Sequence, residues 1–257
     1  MLVLRWIRIA VAALCLGVAA HAARADETHI AVAANFTAAA KEIAAAFGKE
    51  TGHEAVLIFG STGKLYAQIA NNAPFDAFLA ADVARPEKAE KEGLGVAGSR
   101  FTYAVGQIVL FSADPALVDA QGTVLKSGTF EKIAIANPKT APYGAASIEA
   151  MKALGVYDRL KARIVKGDSI SQTLQFVTTR NAALGFVALS QVIADDTGSK
   201  WVVPTDLYTP IRQDAVLLTR GADNAAAKAF LAFLKSETAL AIIAKYGYGA
   251  SRMAAAD

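Results

Sequence analysis

The sequence predicts an α/β protein of two lobes, each a mostly parallel sheet flanked by helices, with two strands crossing between them. Three observations predict it. Short apolar runs alternate with amphipathic ones along most of the chain, the order that builds parallel sheets covered by helices. Two apolar runs, 101–111 and 211–219, are longer than the others and bracket a block with its own strand–helix alternation. The single cysteine, Cys15, lies near the start of a 257-residue chain, so the fold must be held by its core and not by a disulfide.

The elements follow in order. Residues 29–34 read as a strand, and 36–49 as a helix in which Phe36, Ala40, Ile43 and Phe47 recur at three and four residues. The alternation continues through strand 54–59, helix 64–72, strand 76–81 and helix 83–92, then reaches the first long run. Beyond it come strand 132–136, helix 145–154, strand 162–166, helix 170–180, and strands 184–189 and 201–203. The second long run and helices 224–235 and 237–245 close the chain. If both long runs cross between lobes, lobe I comprises 26–105 and 208–257, and lobe II comprises 106–207. Such a paired connection is a hinge, and the crevice it leaves is the natural binding site.

Residues 1–25 have the pattern of a secretory signal: Arg5 and Arg8, an apolar run over 9–20, and Ala23-Arg24-Ala25 as a small-x-small cleavage site. The apolar run is about a dozen residues where a membrane span needs about 20. Three of the 26 basic residues, Arg5, Arg8 and Arg24, lie in this segment with none of the 23 acidic ones, so the remainder carries 23 charges of each sign. The basic balance is thus a targeting feature and not a nucleic-acid surface. Loss of Cys15 and export without an anchor point to a periplasm.

Four joints between strands and helices carry candidate chemistry. They are Ala33-Ala34-Asn35-Phe36, Gly60-Ser61-Thr62-Gly63, the stretch from Asn137-Pro138 to Tyr143-Gly144, and Gly167-Asp168-Ser169-Ile170. Each sits where a strand's carboxyl end meets a helix N-terminus, whose free N–H groups and partial positive charge attract anions. Any one alone reads as a capped helix, with Asn35 and Ser61 as N-caps. Four of them, two per lobe, facing each other across a cleft, would surround a small anion with neutral donors. The second joint is not a P-loop: Ile58 stands where the first glycine belongs and Leu65 where the hydroxyl belongs.

Catalytic and metal readings find little support. His29 and His53 stand beside neither a cysteine nor paired carboxylates, and no Gly-x-Ser-x-Gly elbow occurs. Asp76 reads as a structural hydrogen-bonding group, Asp82 as a helix cap, Lys64 as solvated, and Tyr246 and Tyr248 as packing for the last helix.

With these joints placed, the chain resembles the periplasmic molybdate-binding proteins, the substrate-binding components of molybdate ABC transporters. The resemblance runs through Ile30-Ala31-Val32-Ala33-Ala34-Asn35-Phe36, the stretch from Phe59-Gly60-Ser61-Thr62-Gly63-Lys64-Leu65 to Ile69, Ala73-Pro74-Phe75-Asp76 to Asp82, the third joint, and Tyr246-Gly247. It implies the two-lobe periplasmic binding fold and a binding protein, not an enzyme. The cargo is molybdate or tungstate held as an oxyanion, with no cofactor and no direct metal ligand, and the partner is a membrane permease. Carried over by position, the ligand-holding residues are Asn35, Ser61, Thr62, Tyr143 and Ile170; a monomer is expected. Two departures stand out. Ala188 replaces a tyrosine that some members use, so Asn35 or the Tyr143 side chain is expected to compensate, and Thr62 stands where many members have serine. Asp168 is expected to cap a helix or face outward. Another oxyanion such as sulfate, or a hydrolase using Ser61, remains the competing reading.

Overall fold

A computed structural model describes residues 26–249; the predicted signal segment 1–25 and residues 250–257 lie outside them. The described strands are β1 (Glu27–Ala33), β2 (Glu54–Gly60), β3 (Ala77–Leu79), β4 (Phe101–Gly106), β5 (Ile108–Ser112), β6 (Ile133–Ala136), β7 (Ile164–Gly167), β8 (Leu184–Ala188), β9 (Ser199–Val202) and β10 (Ile211–Leu217). They form two five-stranded sheets, ordered β2-β1-β3-β10-β4 and β7-β6-β8-β5-β9. In the first sheet only β10 runs antiparallel to its neighbours, and in the second only β5 does.

The two lobes therefore exchange strands. β4, the edge strand of the first sheet, runs through the single residue Gln107 into β5, the antiparallel strand of the second. β9, the edge strand of the second sheet, leads through 203–210 into β10, the antiparallel strand of the first. The first long apolar run thus divides at Gln107, while the second lies within one sheet and the passage is made just ahead of it. The two connections run side by side, since Ile211 pairs with Gly106.

Helices cover both faces of each sheet. Strand alternation sends Ile30 and Val32 to one face of the first sheet and Ala31 to the other. The helix Thr37–Thr51 closes the first face with Ala39, Ala40, Ile43 and Phe47. It ends at Gly52, whose φ of 76° gives the left-handed turn that lets its N–H reach the carbonyl of Gly48 at 3.0 Å. In the second sheet Ile108 and Leu110 face one core, Val109 and Phe111 the other. Ala33, Ala34 and Ala81 of the first lobe join the apolar cluster that holds Tyr143 and Ile170 of the second, so the two lobes are in contact across the cleft.

Short helices at Val124–Ser127, Tyr157–Leu160 and Leu189–Val192 escape the periodic pattern, because one turn is too short to repeat it. The helix expected from 145 begins at Pro142, where the ring's fixed φ and missing N–H suit a first helical position. Tyr143 consequently sits in the first turn and not in a preceding loop.

Candidate functional site

The carboxyl ends of β1 and β2 face those of β6 and β7, each followed by the start of a helix. Between them lies a small cavity of about 10 Å³ lined by Asn35, Ser61, Thr62, Tyr143 and Ile170, all five residues singled out in the sequence. Ala33, Ala34, Gly60, Ala81, Ala141 and Pro142 complete the lining, and no lining residue is charged. Organic ligands occupy pockets of about 300–1,000 Å³. This one, with the lobes closed on it, has about the space of one water, so it excludes any organic ligand of that size. A larger open groove of about 660 Å³ beside Ser112 and Ala183 mixes Asp114 and Glu131 with Lys132 and Arg180.

Backbone donors follow from helix geometry, because the first N–H groups of a helix have no partner within it. Thr62, Tyr143 and Ile170 occupy first-turn positions of the helices Thr62–Ala70, Pro142–Ala153 and Ile170–Thr178. None of the hydrogen bonds among the described residues uses their N–H groups. Asn35 is the middle residue of a short 3-10 turn, Ala34–Phe36, and its N–H is likewise uncommitted. The carbonyl of the Ala34–Asn35 peptide accepts from Thr37 Oγ1 at 2.8 Å and Ser171 Oγ at 3.4 Å. A trans peptide sends the Asn35 N–H the opposite way.

The two hydroxyls of the second joint behave differently. Ser61 is the N-cap residue of its helix, yet its side chain makes no cap bond, and its Oγ is buried without any partner. Ser169, in the matching place of the fourth joint, does cap, accepting from the N–H of Gln172 at 3.3 Å. A buried, unpaired hydroxyl carries a desolvation cost that a bound acceptor would relieve. Thr62 Oγ1 accepts from the N–H of Ala81 at 3.0 Å, which leaves its proton available to donate.

Asn35 is not a helix cap. Its Nδ2 lies 2.8 Å from Gln213 Oε1, 3.1 Å from Tyr248 Oη and 3.3 Å from Tyr143 Oη. Gln213 Nε2 also donates to Tyr143 Oη at 3.2 Å. The amide nitrogen of Asn35 and the phenol oxygen of Tyr143 are therefore bonded within this network, while the backbone N–H of each is uncommitted. Tyr248, expected to pack the last helix, instead donates to the Asn35 carbonyl at 2.8 Å. Tyr246 donates to Glu42. Burial holds the phenols of Tyr103, Tyr143 and Tyr248 above the ordinary value, so all three stay neutral around pH 7. Ala188, which the resemblance sets against a tyrosine in some members, is buried at the end of β8 and donates its N–H to Gln191.

At the mouth the lobes touch directly. Gly63 donates its N–H to the carbonyl of Thr140 at 2.8 Å, and a Cβ on Gly63 would lie 3.0 Å from the Thr140 Cα. Lys64 and Asp168, expected to be solvated or capping, form an ion pair at 2.8 Å across the opening. Arg85 pairs with Asp82 and donates to the Lys139 carbonyl at 3.2 Å. Asp82 accepts from the Arg85 N–H as a cap does, and Asp76 accepts from Thr28 and from the His29 N–H as a structural group.

Residues 28–249 match the family model described as bacterial extracellular solute-binding protein. The molybdate-binding protein ModA of Azotobacter vinelandii is 57% identical over 242 residues, covering 93% of this chain and 96% of that one. ModA of Rhodobacter capsulatus is 58% identical over 236 residues, 92% of this chain and 93% of the relative. A solved structure, the Azotobacter vinelandii periplasmic molybdate-binding protein, superposes with a TM-score of 0.84 at 42% identity, covering 87% of this chain and 99% of that chain.

Proposed function

The chain belongs to the bacterial extracellular solute-binding proteins, among the molybdate-binding members, and on that footing we propose that its interlobe pocket captures molybdate for delivery to the membrane permease of an ABC transporter. It is a binding protein and not an enzyme. The oxyanion sits among the N–H groups of Asn35, Thr62, Tyr143 and Ile170 and the hydroxyls of Ser61 and Thr62, with molybdenum itself touching no side chain. The observation that carries this reading is the buried Ser61 hydroxyl, unpaired at a helix start whose neighbours across the cleft also have free N–H groups.

A neutral donor set suits a cargo that must be released. Dipoles replace the hydration of a dianion without adding a full positive charge, and the anion bridges both lobes only when they are closed. Tungstate, with the same shape and charge, fits the same donors. Export to the periplasm follows from the 1–25 segment and from the family. A monomer suits a surface on which, among the described residues, only Val202 and Leu240 are exposed large apolar side chains.

Calorimetric titration of residues 26–257 with molybdate, tungstate and sulfate tests the reading. Tight binding of the first two with weak binding of sulfate is expected. Equal or tighter sulfate binding assigns the pocket to a different oxyanion, and heat from none of the three removes the reading.

A further inference from the structure

Beneath the pocket lie six buried polar side chains, none more than 8% exposed: Asn35, Tyr103, Gln213 and Tyr248 from one lobe, Tyr143 and Ser190 from the other. Gln213 is the hub. Its Oε1 accepts from Asn35 at 2.8 Å and from Tyr103 Oη at 3.2 Å, and its Nε2 donates to Tyr143 across the lobe boundary. Tyr248 Oη and Ser190 Oγ, 3.0 Å apart, both donate to the Asn35 carbonyl, at 2.8 and 2.9 Å. None of these groups is charged, and Tyr143 and Ser190 find their partners here only because both lobes are present. Separating the lobes would strip Tyr143 from Gln213 and Ser190 from Asn35.

The network also rests on the connection between lobes. A Cβ on Gly106, the last residue of β4, would lie 2.0 Å from Tyr143 Oη and 2.8 Å from Gln213 Nε2. The hydroxyl of Tyr143 therefore lies directly against the crossing strand, and only glycine leaves room for it.

We propose that Gln213 and Tyr248 are positioning residues for anion capture: without touching the anion they hold the peptides of Asn35 and Tyr143 in the closed arrangement and set how readily the lobes close. This rests on the proposed function. Gln213 anchors the far end of both side chains, and Tyr248 fixes the carbonyl of Asn35 directly. A buried hydrogen-bonded network is costly to break and has few good geometries, so it confers register on two bodies otherwise joined by a hinge.

The test is molybdate binding and release by Tyr248→Phe and Gln213→Leu, measured by calorimetry and stopped-flow beside the unaltered chain, together with the ligand-free melting temperature. Tyr248→Phe keeps the ring that packs edge-on to Phe36 at 5.2 Å. It is expected to weaken binding about tenfold, through faster dissociation, a larger loss than the accompanying fall in ligand-free stability. Gln213→Leu is expected to weaken binding further and to raise the ligand-free distance between fluorophores placed on the two lobes. Wild-type affinity and dissociation rate in Tyr248→Phe would overturn the proposal. So would losses of affinity that only track losses of ligand-free stability, since that is what a merely structural role produces. Failure of the unaltered chain to bind molybdate is a distinct result, which removes the proposed function and this inference with it.

Discussion

At the mouth of the cleft the lobes meet through Lys64 and Asp168, whose side chains are 50% and 69% exposed; at its base they meet through neutral side chains buried almost completely. Both regions join the same two bodies, yet they obey different physics. An exposed ion pair gains about 0–1 kcal/mol and is screened by salt. A buried hydrogen-bonded group left without its partner costs about 1–3 kcal/mol and is indifferent to salt. The base therefore governs how tightly the closed form holds together, and the mouth governs the field that an arriving anion meets.

Four experiments probe that contrast. The largest effect is expected from Gly106→Ala, which drives a methyl into the Tyr143 hydroxyl and so blocks closure at the base; overpacking of this kind costs about 1–3 kcal/mol or more, and calorimetry should show at least a tenfold loss of molybdate affinity. Full affinity would mean that the base tolerates opening. Next comes Ser61→Ala, between the two regions. It should weaken binding by about 1–3 kcal/mol while leaving ligand-free stability unchanged or slightly higher, because the hydroxyl it removes has no partner in the protein. Ser169→Ala is the control, expected to lower the ligand-free melting temperature by the loss of a cap worth about 1 kcal/mol.

A smaller effect, and one of opposite sign in the two partners, is expected at the mouth. Lys64→Met leaves Asp168 to repel the dianion and should slow association by about twofold at low salt; Asp168→Asn should speed it by a similar factor. In 1 M salt, where the screening length is about 3 Å, stopped-flow rates of the two variants should converge. Persistent differences would show that the pair acts through contact and not through its field. The smallest response is expected from pH. The buried phenols have raised values, so they are neutral in both folded and unfolded chains below their ordinary value of 10.0 and add no pH dependence there. Above it the unfolded chain ionises first, so stability should fall as pH rises past about 10. A melting temperature that changes steeply between pH 7 and 9 would point to a titrating group that this picture omits.

The lining of the pocket was legible in the sequence; the ion pair at the mouth and the network at the base were not. Ser61, Thr62, Tyr143 and Ile170 stand at the ends of strand-like runs where helices begin, a local signal that a window of a few residues contains. Even there the reading stopped at residue type: a serine at an N-cap position either caps or stays free, and only the rotamer distinguishes Ser61 from Ser169. Ala81 has no side-chain chemistry to notice. Gln213 and Tyr248 meet Asn35 across 178 and 213 residues, and nothing in their own neighbourhoods marks them. Gln213 stands between Arg212 and Asp214 with nothing to single it out from them, and Tyr248 follows the last helix, where packing is the ordinary explanation. Lys64 and Asp168 were each visible, but their pairing depends on how far the lobes close.

The exchange of strands between the sheets bears on the order in which the molecule assembles. The second sheet is built entirely from 108–202, a continuous stretch, so it has every strand it needs once that stretch has emerged. The first sheet begins at residue 27 but has β10 inserted between β3 and β4, so β4 has no neighbour to pair with until residues 211–217 arrive. The lobe that starts first must therefore finish last, with β1, β2 and β3 waiting through about a hundred residues of later chain. Cutting the chain after Gly106 would yield no independent first lobe, only three paired strands and an orphan edge.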